Sequence, residues 1–125
     1  DQSKTGPEFM AHVLERVVPH LEGAWSGAAY LHDESGAVLA LVAVSGDFKF
    51  EELASKIAPK EGETSAWLDA ASFYVALSGR EKTLGRLLFH AGAALGAEAQ
   101  GEIGRTLTAV SRLVAGALEI KHLSS

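Results

Sequence analysis

Histidine is the residue type in this sequence with the widest chemical range, because a neutral imidazole can bind a metal ion or a haem iron. The five histidines are His12, His20, His32, His90 and His122. No two of them have the spacing of a helical zinc site, and none lies beside a second strong ligand. His90 ends an apolar segment, where it could meet a ligand or a haem iron, although a strand-end surface or core role is commoner. The pattern predicts no metal site and no cofactor.

The carboxylates and hydroxyls form no catalytic pattern either. Asp33 and Glu34 are adjacent, as are Glu51 and Glu52, and neighbouring positions in a turn or helix point in different directions. No serine occupies a Gly-x-Ser-x-Gly elbow, and no glycine-rich loop carries the Gly-Lys-Ser or Gly-Lys-Thr of a phosphate-binding loop. The sequence therefore predicts a binding or assembly module without catalytic residues, not an enzyme.

Aromatic residues supply the candidate ligand-binding surface, since small-molecule sites are mostly apolar with a few polar groups. Trp67, Phe73 and Tyr74 lie in the stretch that leads from a predicted short helix into a predicted hairpin. We expect these three side chains to line a ligand pocket.

Composition limits the class of protein. The chain has 125 residues, 47% hydrophobic and 22% charged, with a net charge of −5, which is typical of one soluble globular domain. No apolar run reaches the roughly 20 residues that span a bilayer, and no basic cluster suits nucleic acid. The absence of cysteine excludes disulfides, thiolate metal sites and thioether-linked chromophores. A cytoplasmic location is consistent with this, and neither membrane nor nucleic acid is an expected partner.

The first helical pattern begins at Met10. Residues 1–9 are polar and aperiodic, and Gly6–Phe9 resembles a cleavage and cloning scar, so we interpret 1–9 as an expression-tag remnant, with a natural tail as the alternative. Apolar residues at helical spacing predict a helix over Met10–Leu21, interrupted near Pro19. The domain then spans 10–123, and 124–125 form a polar tail.

Strand patterns occupy the middle of the chain. Trp25–Val44 predicts a hairpin turning at Asp33–Gly36, whose second strand is so apolar that both faces should be covered or the strand central. Further elements are a short helix over Phe48–Ile57, one helical turn within Thr64–Ala71, and a second hairpin of Ser72–Leu77 and Leu84–His90. This order favours an α+β fold, an antiparallel sheet with flanking helices.

A long C-terminal helix is predicted over Glu98–Leu123. Its apolar residues recur at alternating steps of four and three: Ile103, Leu107, Val110, Val114 and Ala117. An average of 3.5 residues is typical of a seam between helices, so we predict a homodimer interface here. The same stripe would also suit packing on the chain's own sheet.

The whole pattern resembles a GAF domain, a sensing and dimerising module common in bacterial signalling proteins. The resemblance covers most of Met10–Leu123 and is carried by Ala28–Gly36, by Phe73–Leu77 with Thr83–Phe89, and by the helix ending Val114–Glu119. It implies a regulatory domain that dimerises through its terminal helices, transmits a signal to an attached or partner output domain, and could bind a small molecule.

Two departures from the GAF pattern bear on the ligand. The segment Gly46–Ala71, where ligand-covering elements lie in that family, is short, which argues against a cyclic nucleotide. The family's covalent chromophores need a cysteine, and this chain has none. A competing resemblance is to roadblock/longin interaction modules, which share the element order but fit the second half less well.

Overall fold

The computed structural model describes residues 6–21, 23–32, 39–54, 65–80 and 83–124. The helices are α1 (Gly6–Val17), α2 (Glu51–Ala54) and α3 (Ala97–Ser124), with one 3₁₀ turn at Val18–His20. The strands are β1 (Ser26–His32), β2 (Leu39–Ser45), β3 (Ser65–Trp67), β4 (Ser72–Ser78) and β5 (Thr83–His90). Every pairing among them is antiparallel, in the order β2-β1-β5-β4-β3. The predicted α+β class with an antiparallel sheet and a long C-terminal helix is confirmed.

Helix α1 begins four residues before the predicted start at Met10. Pro7 fits in the first turn because the amide that proline lacks would have no helical partner there, and Glu8 suits the positive end of the helix dipole. Phe9 packs against the core. The α-helix ends at Val17, because the ring of Pro19 disfavours helical geometry in the residue before it, and the chain continues as the 3₁₀ turn.

Strand β2 is an edge strand, so the expectation that it is central or covered on both faces is wrong. Val42 and Ala43 both pack against the core on one side of the sheet, at a bulge in the pairing of β2 with β1. On the other side, Leu41 and Val44 are 53% and 51% exposed. A continuous apolar run is therefore compatible with only one covered face. The predicted turn at Asp33–Gly36 lies outside the described residues.

The segment Ser65–Trp67 is strand β3, not the predicted helical turn. It pairs with β4 in the register Ala66 to Tyr74 and Trp67 to Phe73. An Asx-type turn returns the chain to β4, with the Ala71 amide donating to Asp69 Oδ1 at 2.8 Å. The extended conformation of so short a strand depends on its pairing with β4, and the local sequence does not reveal that pairing. Of the predicted helix Phe48–Ile57, only Glu51–Ala54 is helical within the described residues.

The sheet has two faces of different composition. The helix face is covered by α1 and α3 and contains the main core, whose largest fully buried side chains are Met10, Leu14, Val75, Leu77, Leu87, Phe89 and Leu107. The second face carries a smaller cluster of Ala28, Tyr30, Phe50, Tyr74 and Leu88. Gly85 lets the central strand β5 approach β1 closely, because a Cβ there would clash with the Tyr30 carbonyl oxygen.

Candidate functional site

The three predicted pocket residues lie on opposite sides of the sheet. Trp67 and Phe73 are a cross-strand pair with ring centroids 4.9 Å apart, and both pack on the helix face beside Gly104 of α3. Tyr74 is the next residue along β4, and successive side chains of a strand point to opposite faces. It belongs to the cluster on the second face. The structure therefore does not bring the three side chains together.

The second face is arranged around the central strand β5. Arg86 is paired with Tyr30 of β1 and with Ala76 of β4. Leu88, two residues along the same face, is paired with Ala28 and Tyr74. Two tyrosines therefore lie on the strands either side of an arginine and a leucine.

A short segment after β2 brings aromatic side chains onto this face. Gly46 has a φ of 91°, a conformation that favours glycine, where the chain leaves β2. The Phe48 amide then donates to Ser26 Oγ at 3.2 Å. Phe48 and Phe50 contact edge to face at 4.8 Å, and Phe50 is buried against the second-face cluster. These rings cover one end of the face, whereas Leu41 and Val44 leave its β2 edge open.

Arg86 is the most unusual residue of the second face, because only 4% of it is exposed. Arginine is rarely buried so fully, since a charge is costly to remove from water. No sequence pattern pointed to Arg86. The sequence does hold one clue to Arg86: it is a charged residue at the centre of the apolar segment Thr83–His90. This segment is β5, the middle strand of the sheet.

Tyr30 and His32 extend the polar part of the face along β1. Burial raises the pKa of the Tyr30 phenol above its usual value of 10.0, and the nearby Glu51 carboxylate raises it further. Tyr30 therefore stays protonated at neutral pH and can donate a hydrogen bond. Both ring nitrogens of His32 are shielded from water and have no hydrogen-bond partner among the described residues.

A second polar group lies at the end of the face, around His90. Ser72 Oγ and His90 Nδ1 are 2.9 Å apart, and the His90 ring stacks on Phe48 with centroids 3.7 Å apart. Burial alone would raise the pKa of Asp69, but hydrogen bonds from the Ala71 amide and from the Ser72 side chain and amide lower it.

These three residue types are those of a hydrolase triad, but their arrangement differs. Ser72 lies between His90 and Asp69, whereas in a triad the histidine lies between the serine and the carboxylate. Ser72 is also fully buried, and its hydroxyl contacts His90 Nδ1. The group therefore holds the start of β4 to the end of β5.

The predicted dimer seam packs largely within the chain. Leu107 and Val114 are in the core of the helix face, only 1% and 6% exposed. Ile103 and Val110 are half-buried against the same core, and Ala117 is half-buried. The 3.5-residue spacing thus describes how α3 lies on its own sheet.

The outward side of α3 carries exposed apolar side chains, and the groove beside it carries polar groups. Leu113 and Ile120 are 77% and 69% exposed. A cavity of about 290 Å³ between α3 and β4 is lined partly by Thr108, Arg112 and Glu119. Glu119 Oε2 accepts a hydrogen bond from the Arg80 amide at 2.7 Å, which ties α3 to the end of β4.

The described residues also bear on metal binding and on membrane spanning. The described residues contain no cluster of three or more histidine, aspartate or glutamate side chains that could hold a metal ion. Among the described helices, none combines the length and the apolar character needed to cross a membrane.

Comparisons with known proteins connect this fold to a family of domains. No protein-family model matches the sequence, and no curated protein matches it. The structure is similar to the GAF domain of a protein assigned as a sensor histidine kinase from Pseudomonas syringae pv. tomato, with a TM-score of 0.68 and 20% identity over 96% of this chain and 80% of that one. It is also similar to the GAF domain/HD domain protein from Geobacter sulfurreducens, with a TM-score of 0.55 and 13% identity over 91% of this chain and 94% of that one.

These two similar structures distinguish between the GAF resemblance and the roadblock/longin resemblance of the sequence. Each is a GAF domain, and neither is a roadblock or longin module. The chain therefore has the GAF-domain fold, with α1 and α3 on one face of the sheet and Arg86 on the other.

Proposed function

We propose that this chain is a non-catalytic, cytoplasmic sensory domain that binds a small acidic molecule on the second face of its sheet. The observation that carries the proposal is the burial of Arg86 between Tyr30 and Ala76, at the centre of a face otherwise lined by aromatic and apolar side chains. The similar domain from a protein assigned as a sensor histidine kinase supports a regulatory role.

The chemistry of the face suits a ligand with an anionic group and an apolar body. A guanidinium offers planar, paired donors that match a carboxylate or phosphate, and a charge-assisted hydrogen bond is stronger where water is excluded. The protonated Tyr30 phenol adds a neutral donor beside it. Phe50, Tyr74 and Leu88 supply the apolar contact that small-molecule sites use.

The test is binding measured by calorimetry with simple probes of this chemistry: benzoate, adenosine monophosphate and inorganic phosphate, with benzamide and adenosine as uncharged counterparts. We expect at least one anionic probe with an aromatic body to bind more tightly than its uncharged counterpart. Arg86→Met should weaken that binding at least about tenfold, because a hydrogen bond to a charged group contributes roughly 1.5–3 kcal/mol.

The matched control is Arg105→Met, which removes an exposed arginine from α3 and should leave binding unchanged. Circular dichroism and thermal unfolding establish that both variants are folded. Equal binding of charged and uncharged probes, or equal loss in both variants, would contradict the assignment to Arg86. If none of the probes binds at millimolar concentration, the sensory proposal fails for acidic ligands of this size.

A second candidate function is homodimerisation through α3, with relay of a signal to an attached or partner output domain. The observation that favours it is the exposure of Leu113 and Ile120 on the outward side of this helix. Light scattering over a range of protein concentrations tests it: we expect a dimer, and a monomer at every concentration would contradict it.

A further inference from the structure

The outward side of α3 carries a second stripe with heptad-like spacing, distinct from the stripe buried on the sheet. We propose that this outward stripe pairs two copies of the chain in an antiparallel arrangement. The inference deepens the homodimer proposed above and rests on it. The outward stripe consists of Thr106, Ala109, Leu113, Gly116 and Ile120, at steps of three, four, three and four.

The side chains of the outward stripe are exposed, unlike those of Leu107 and Val114, which are buried against the sheet. Thr106, Ala109 and Gly116 are exposed, as are the two large side chains Leu113 and Ile120. Nothing lies within 4 Å of the position that a Cβ at Gly116 would occupy. Isolated exposed apolar residues are common, but a row at 3.5-residue spacing presents a continuous surface to a second helix.

The order of side-chain sizes along the outward stripe favours antiparallel pairing. Large and small residues alternate from Ala109 to Ile120. In a parallel pair, each would face its own equivalent, so glycine would face glycine and leave a gap beside a leucine pair. In an antiparallel pair centred between Val114 and Ala115, Leu113 faces Gly116 of the partner subunit and Ile120 faces Ala109 of the partner subunit. Large side chains then fill the spaces over small ones.

Charge along one flank of the outward stripe favours the same arrangement. Arg112 and Glu119 each precede a large residue of the stripe, Leu113 and Ile120. In the antiparallel register above, Arg112 lies opposite Glu119 of the partner subunit, and the two-fold symmetry repeats the pair. In the single chain, Glu119 Oε2 accepts a hydrogen bond from the Arg80 amide, and a carboxylate can accept from a further donor as well. In a parallel pair, Arg112 would instead lie across from Ala117 of the partner subunit.

The other flank is apolar. The same register places Val110 opposite Ala117 of the partner subunit, and both residues are only half-buried in the single chain. Two residues of the sequence-predicted dimer seam would thus contribute to the edge of the interface, whereas Leu107 and Val114 stay in the core. With two large side chains from each copy, the contact is small, and we expect a dimer with a dissociation constant in the micromolar range.

Cysteine cross-linking tests the direction of pairing cleanly, because these 125 residues include no cysteine. The two test variants are Ala109→Cys and Ile120→Cys. In the antiparallel dimer, each introduced cysteine lies about 16 Å along the axis from its own copy, beyond disulfide reach, but opposite the other variant's cysteine. We expect disulfide dimers in a mixture of the two proteins and none in either protein alone.

The alternative outcomes separate failure of the register from failure of the dimer. Self-cross-linking of each variant alone would overturn the antiparallel register and establish parallel pairing. A wild-type chain that is monomeric by light scattering at all concentrations would overturn the dimer itself.

A substitution locates the interface independently of cross-linking. Leu113→Asp should convert the dimer to a folded monomer, because the side chain is exposed and its loss leaves the core intact. The control is Val44→Asp, which places the same charge on the exposed apolar edge of β2 and should leave the dimer unchanged. Dissociation by Val44→Asp but not by Leu113→Asp would overturn the assignment to α3.

Discussion

The two faces of the sheet share the same five strands but differ in chemistry. The helix face is packed by two helices with apolar side chains, and residues such as Leu87, Phe89 and Leu107 are at most 1% exposed. The second face carries Tyr30, Arg86 and His90 among its apolar side chains. Successive side chains of a strand point to opposite faces of the sheet. The residue types on one face can therefore differ from those on the other within the same strands.

The helix face therefore accounts for most of the stability, whereas the second face has the residue types of the proposed binding site. Apolar burial stabilises a fold in proportion to the area removed from water, so the helix face supplies most of the stabilising free energy. A buried guanidinium and buried hydroxyls add less, and they require precise partners. Such groups are typical of positions where function, not stability, determines the residue type.

The largest expected effect is on the helix face. Leu107→Ala should lower the free energy of unfolding by about 2–5 kcal/mol, because it opens a cavity in a packed core. Leu41→Ala removes the same atoms from the half-exposed edge of the second face and should cost less than about 1 kcal/mol. Urea unfolding of both variants measures the difference. Equal losses would show that the second face is as well packed as the helix face.

An intermediate effect is expected from the polar group at the end of the second face. Ser72→Ala removes a fully buried hydroxyl that contacts both His90 and Asp69, and it should lower the free energy of unfolding by about 1–3 kcal/mol. The control is Ser78→Ala, at the exposed end of the same strand. A change within the error of the control would mean that the hydroxyl does not lock β4 to β5.

The same contrast explains what the sequence could predict. The hairpin of β4 and β5 and the helix α3 were predictable to within about a residue, because long periodic patterns and a polar loop bound them. The pocket residues were not, because Phe73 and Tyr74 are both aromatic and adjacent, and only the register with β5 decides which face each serves. The spacing of Leu107 and Val114 predicted a packing stripe but not its partner.

Arg86 was missed for a related physical reason. A charged residue in an apolar strand is ordinarily read as a solvent-facing position, and burial of the second face depends on distant residues such as Phe50. The short strand β3 was missed because it is held by hydrogen bonds to β4, with little local preference of its own. Contacts between distant segments thus set the features that short-range patterns do not encode.

The smallest expected effect concerns the titration of Tyr30. Burial and the Glu51 carboxylate both disfavour the phenolate, so the folded-state pKa lies above 10.0, and the stability that the neutral phenol contributes is present below pH 10 and lost as pH rises through the folded pKa. The chain has two tyrosines, so Tyr74→Phe leaves Tyr30 as the only one, and its absorbance at 295 nm reports the titration.

In that Tyr74→Phe background, we expect a midpoint above pH 10. Adding Glu51→Gln should lower the midpoint slightly, because the negative charge is the smaller of the two causes, and burial should keep it above the ordinary value. Glu102→Gln, an exposed change on α3, should leave the midpoint unchanged.

A benzoate bound beside Arg86 would bring a second negative charge near the phenol and raise the midpoint further. A midpoint at or below 10 would instead mean that water reaches the Tyr30 phenol, so that this part of the second face is not shielded from solvent.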